Sequence, residues 1–205
     1  MAANPLRTCL VLLLALVTGS AAAQDARPIA SGTPMPGPLL DLASPEGDGW
    51  YLRTSKNGDL TFAREGRQRD ASEVATVQTF GIDPEADDAA FRKAVESELG
   101  IGRGPAPRFE TLESAMVTVL IDGVPCLRSL DLIRDNAAQV GRGKIRVMLI
   151  DVHGTYCRHP VKRSLGLAFV YSVRSEKREE DATTAKALAF FDTLRLHKTA
   201  PAPGE

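Results

Sequence analysis

Two runs in the second half of the chain constrain its fold more than any other feature. Residues 144–152 (KIRVMLIDV) and 165–173 (LGLAFVYSV) are apolar at odd and even positions alike. A strand alternates its side chains between two faces, so a run that is apolar on both needs cover on both. Such strands belong inside a sheet with further layers packed on it. Around them the sequence places more strands and two amphipathic helices. Trp50 opens a hairpin whose turn signal is Asn57-Gly58. A two-residue loop would set Leu60 opposite Ser55 and Phe62 opposite Arg53, mixing the faces. A loop of Lys56-Asn57-Gly58, with Gly58 left-handed, pairs Leu52 with Phe62 and keeps Trp50 on the same side. Residues 73–80 follow as a third strand.

Residues 83–99 read as a helix, with Asp83 as N-cap, Pro84 in the first turn and a stripe of Phe91, Val95 and Leu99 beside Ala94. Gly100 stops it and residues 100–107 form a loop. Residues 109–121 are ambiguous: FETLESA suits a helix, whereas VTVLI suits a strand. Residues 126–134 and 144–152 are strands joined by a turn ending GRGK. A terminal helix ends near Leu196, with Leu188, Phe191 and Leu194 beside Ala187 as its buried face. The expected class is α+β: a mostly antiparallel sheet of five or six strands with two or three helices packed on it, as one domain over residues 49–198.

The termini read differently. Arg7, the apolar residues 10–17 (LVLLLALV) and Ala21-Ala22-Ala23 have the order of a secretory signal, which makes residues 1–23 a signal peptide and Gln24 the mature start. The apolar run is shorter than the ~20 residues a membrane helix needs. The mature chain is therefore expected to carry no transmembrane segment and to be periplasmic or secreted. Residues 24–48, rich in Pro, Gly, Ser and Ala, are expected to be a flexible leader, and residues 199–205 a disordered tail.

Composition narrows the function. The formal net charge is -1, and loss of Arg7 makes the mature chain one unit more negative. No basic field exists for nucleic acid. Aromatics are 5% of residues with a single Trp, too few for a stacking platform. No Gly-x-Ser-x-Gly elbow is present. The segment Gly100 to Gly104 follows a helix rather than a strand, so it does not fit a nucleotide fingerprint. The acids Asp83, Glu85, Asp87 and Asp88 sit at a helix start, where they suit the dipole, and lack a calcium-loop pattern.

The cysteines carry the sharpest signal. Export removes Cys9 and leaves Cys126 and Cys157, which in an oxidising compartment read as one disulfide. Closing a loop of about 30 residues would add roughly 3–4 kcal/mol in the chain-entropy picture. The rival reading gathers His153, Cys157 and His159, with Cys126, around zinc or Cu(I). Ligand spacing is against it, since only the interval from His153 to His159 approaches a known pairing. A Cys157 nucleophile served by His159 is the third reading; the two are too local for a usual thiol pair, whose members come from separate elements. No catalytic residue, metal or other cofactor is assigned.

Tyr156-Cys157-Arg158-His159-Pro160, the strand bearing Tyr171-Ser172-Val173-Arg174, the helix ending Phe191-Asp192-Thr193-Leu194-Arg195, and Pro125-Cys126-Leu127-Arg128 form a recognisable set. Together they resemble a group of small uncharacterised proteobacterial exported proteins and lipoproteins with a Cys-x-His-Pro and Tyr-Ser-x-Arg pattern. The resemblance covers about residues 108–196. This chain lacks a lipidation Cys, so membrane anchoring does not carry over, and the group brings no activity with it. A more distant similarity is to the layered fold of the photosystem extrinsic P subunit. That concerns fold alone. The expected function is an exported, non-enzymatic binding or envelope-associated accessory protein, whose partner is an envelope protein or a small ligand. The alternative is a metal-handling or thiol-dependent enzyme centred on His153, Cys157 and His159.

Overall fold

The computed structural model describes residues 26–198 apart from 56, 67, 69, 99–107 and 142. The expected signal peptide, the mature start at Gln24, Leu99 of the expected helix stripe, the whole loop at 100–107 and the tail at 199–205 lie outside the described residues.

The strands are β1 (Arg27–Ile29), β2 (Pro34–Pro36), β3 (Leu40–Ala43), β4 (Trp50–Thr54), β5 (Leu60–Glu65), β6 (Ser72–Gly81), β7 (Phe109–Ile121), β8 (Val124–Val140), β9 (Lys144–Arg158), β10 (Leu165–Ser175) and β11 (Arg195–Leu196); the helices are α1 (Asp88–Glu98) and α2 (Glu180–Phe191). Eight strands form one antiparallel sheet in the order β1-β4-β5-β6-β10-β9-β8-β7, and a small sheet runs β11-β3-β2. This corrects the expected α+β class with five or six strands. Among the described residues the protein is mostly sheet, with two short helices. Two misreadings account for the difference. The ambiguous residues 109–121 are wholly strand β7. Residues 24–48, expected to be flexible, supply β1 to β3 where they are described.

The second error has a clear physical cause. Composition placed residues 24–48 among segments without apolar surface to bury, yet β3 alternates, and Leu40 and Leu42 are both 6% exposed. They join the large core cluster beside Trp50, Phe62 and Phe190. The backbone is tied down as well: Ala43 N–H donates to Thr193 Oγ1 at 3.2 Å, and His197 N–H to Leu39 O at 3.1 Å.

The two apolar runs lie on central strands, with β9 between β8 and β10, and β10 between β9 and β6, but the expected cover on both faces fails at the start of β9, where Ile145 and Val147 are 66% and 55% exposed. One face of the sheet carries Trp50, Leu52, Phe62, Ala75, Val77, Leu167, Phe169 and Tyr171 beneath α2 and the small sheet. The other carries Phe80, Leu127, Tyr156 and Ala168 beneath Phe91 and Val95 of α1. The β4–β5 hairpin keeps the face-consistent register, with Leu52 opposite Phe62. Gly58 at φ +84 takes the left-handed position that the longer loop requires. The first helix starts later than expected: Asp87, not Asp83, is its cap, its Oδ1 accepting from Ala90 N–H at 2.8 Å. In α2 the buried face is Thr183, Ala187, Phe190 and Phe191. Leu194 is buried just beyond it, whereas Leu188 is only partly buried.

Candidate functional site

Cys126 on β8 stands directly opposite Cys157 on β9. Their Cα atoms are 4.4 Å apart, the spacing of a non-hydrogen-bonded antiparallel pair, and their sulfurs lie at disulfide distance. Both are buried in the core cluster under α2 and the small sheet.

His159 lies just past the end of β9. Its Nδ1 accepts from Val161 N–H at 3.1 Å and Lys162 N–H at 3.0 Å. A nitrogen accepting two donors is unprotonated, so the proton sits on Nε2, which donates to Leu39 O at 3.2 Å. The ring therefore fastens the β9–β10 turn to the chain entering β3. Burial holds its pKa below the ordinary histidine value, although the Leu39 carbonyl acts the other way.

His153 sits on the same face of β9 as Cys157 but four residues away, about 13 Å along a strand. It faces Leu130 on β8 and Tyr171 on β10. Its Nε2 lies 4.0 Å from Asp151 Oδ1 and has no hydrogen-bond partner among the described residues. Burial lowers its pKa, outweighing the upward pull of Asp151, so the ring is neutral near pH 7. The structure thus brings Cys126 and Cys157 together and leaves His153 and His159 in separate structural settings. No group of three or more His, Cys, Asp or Glu residues placed to hold a metal ion occurs among the described residues.

Two ionic joints, each built on a buried acid, escaped the sequence reading. Glu73 on β6 is 2% exposed. Its Oε2 accepts from Arg64 Nη2 at 2.8 Å and Tyr171 Oη at 2.6 Å, and its Oε1 from Lys186 Nζ at 2.8 Å. Burial alone would raise its pKa; the bonds from Lys186, Tyr171 and Arg64 outweigh it and hold the carboxyl below its usual value. The joint binds α2 to the sheet. Tyr171 is pushed upward by burial and by Glu73, so it stays a donor. The second joint is Arg178, whose Nε reaches Asp151 at 3.4 Å and whose Nη1 reaches Glu113 at 3.0 Å and Glu180 at 3.1 Å. It connects β9, β7 and the start of α2. The signal for both was present: Glu73 shares strand parity with Ala75 and Val77, and Asp151 interrupts an apolar run.

On the opposite face, Asp131 accepts from Ser114 Oγ at 2.6 Å. Burial raises its pKa against the effect of the Ser114 and Ser129 hydroxyls. Beside it the Tyr156 hydroxyl lies over Gly154, where a Cβ would fall 2.2 Å from it. A shallow groove runs between the start of α2 and the sheet, with Gln68, Glu73, Ser175, Glu179, Thr183 and Lys186 in its lining.

No protein-family model matches the chain, and no curated protein matches it in sequence. Among solved structures, a variant of the protein Mog1 is similar at 13% identity and a TM-score of 0.38, over 85% of this chain and 97% of that chain. A likeness at that level speaks to neither activity nor partners.

Proposed function

We propose that this is an exported, non-catalytic binding or envelope-associated accessory protein, periplasmic or secreted after removal of residues 1–23. The observation that carries the reading is how the chemistry-bearing side chains are engaged. The cysteines face each other at bonding distance inside the core, which as a disulfide leaves neither thiolate for catalysis or metal. Both His159 nitrogens serve a turn. The groove beside α2 is too shallow to enclose a ligand, so a peptide of an envelope partner or a small ligand would lie across its rim, where Glu179 is exposed beside Gln68. The resemblance to proteobacterial exported proteins agrees with this setting and adds no activity.

Two measurements test it. Elemental analysis of the exported protein should find no stoichiometric zinc or copper. Photocrosslinkers placed at Gln68 should trap a specific envelope component, and Glu179→Lys, at the exposed rim of the groove, should abolish that adduct. Stoichiometric metal that is lost in His153→Ala would favour the metal-handling alternative. A crosslinking pattern indifferent to Glu179→Lys would remove the groove from the account.

A further inference from the structure

The outermost strand β7 is the last in the sheet order and pairs only with β8. Exposed edges of this kind are usually blunted by charge, proline or a bulge. The first half of β7 has such protection: Glu110, Glu113 and a register break between Thr111 and Glu113. The second half, residues 114–121 (SAMVTVLI), has no charge, no proline and no bulge. Val117 and Leu120 on it are 56% and 69% exposed.

The ladder shows which backbone groups are free. At 4.4 Å between Cα atoms, Cys126 and Cys157 are a non-hydrogen-bonded pair, so the amide and carbonyl of Cys126 point toward β7 and bond Val119. The bond from His159 N–H to Leu165 O agrees with this alternation across β9. Val117, Ala115 and Ile121 then also bond inward to β8. Ser114, Met116, Thr118 and Leu120 present their amides and carbonyls outward, and among the described residues nothing pairs with them.

We propose that this half-strand is a self-pairing surface whose occupant is β7 of a second copy of the chain. An isologous antiparallel pair must keep like faces together, so its two-fold axis passes through residues of one parity. Centred on Val117, it sets Ser114 against Leu120 and Met116 against Thr118 as hydrogen-bonded pairs, which are the residues with outward groups. Val117 then faces its own copy in a non-hydrogen-bonded pair, the closer of the two spacings. Charge selects this occupant. Glu113 falls opposite Ile121 and Glu110 lies beyond the ladder, so no acid faces an acid and the uncharged half pairs throughout with itself. The sheet would continue across the axis from one copy into the next.

The test uses the exported chain in sedimentation velocity with three single variants. The wild type should sediment as a concentration-dependent dimer. Val117→Cys should form a covalent dimer under mild oxidation, because opposed residues at this spacing meet disulfide geometry. Thr118→Cys, facing Met116 instead, should remain uncrosslinked. Val117→Lys sets two like charges across the axis and should weaken the dimer roughly tenfold or more. Far-ultraviolet circular dichroism and the emission of Trp50 should stay as in the wild type for each variant. A monomer at all concentrations overturns the proposal, including the case in which only a different protein's strand adds to β7. So does a dimer that Val117→Cys leaves uncrosslinked or that Val117→Lys leaves intact.

Discussion

Leu42 probes the segment whose folding departs most from its composition. The side chain is 6% exposed and belongs to the main core cluster. Leu42→Ala deletes three carbon groups, and at about 0.8 kcal/mol for each the lost transfer energy is roughly 2.4 kcal/mol. A cavity contribution adds to this. It should be small, because β3 is held between the short strands β2 and β11, which can settle inward. The expected loss is about 3 kcal/mol, inside the range for buried leucines. Urea unfolding can be followed through Trp50, the single Trp, which is 1% exposed in the same cluster. With an m value of about 2 kcal/mol/M, the midpoint should fall by about 1.5 M. Pro38→Ala, at an exposed neighbouring position, should leave it nearly in place. A shift for Leu42→Ala under about 0.3 M with m unchanged would mean that this segment does not close the core, and the reasoning from β3 would fail.

Other outcomes follow from the packing and the ionic joints. Phe190→Ala and Phe191→Ala should each cost about 3–5 kcal/mol in the same assay, whereas Leu188→Ala, on the partly buried side of α2, should cost less than either. Glu73→Gln leaves Arg64 and Lys186 without their anion and should cost about 2 kcal/mol, below the value for a fully buried pair because both cations are partly solvated. Because the folded carboxyl titrates below its usual 4.5, its stabilisation is present above that pH and lost as pH falls beneath it. The glutamine variant should therefore show a flatter acid limb in thermal melts. Burial holds His153 below its ordinary 6.5, so the unfolded chain takes up the proton first and stability falls as pH drops through that value. His153→Gln should reduce the slope of stability against pH between about 5 and 7, by at most ~1.4 kcal/mol per pH unit; an unchanged slope would mean that His153 is not a buried neutral ring.

What the sequence revealed followed from periodicity. Runs apolar on both faces point to central strands, and they are β9 and β10, although Ile145 and Val147 at the start of β9 lack the expected cover. The face argument at Asn57-Gly58 fixed the hairpin register because a one-residue slip would expose Leu52 and Phe62. Composition misled at residues 24–48, where a few alternating leucines outweighed many prolines and glycines. In α2 the periodicity points to Leu188 where the structure buries Phe190; a helix pinned between a sheet and a small three-stranded sheet presents a wider apolar face than one stripe. At the site, the cysteine pair was legible from the number of cysteines left once residues 1–23 are read as a signal peptide. The separation of His153 from His159 was not, because strand parity puts His153 on the right face while saying nothing of the turn that captures His159. Glu73 and Asp151 were legible as inward-facing acids, but their partners Lys186 and Arg178 come from elements whose docking local pattern does not encode.

The central claim is that Cys126 and Cys157 are joined and serve the fold. The direct measurement is alkylation of the protein, purified without reductant, in denaturant, followed by peptide mass mapping of both positions. The account predicts neither cysteine labelled, one crosslinked peptide pair joining them, and full labelling only after reduction. Labelling of both cysteines before reduction would contradict it and return His153, Cys157 and His159 to consideration as a metal or thiol site.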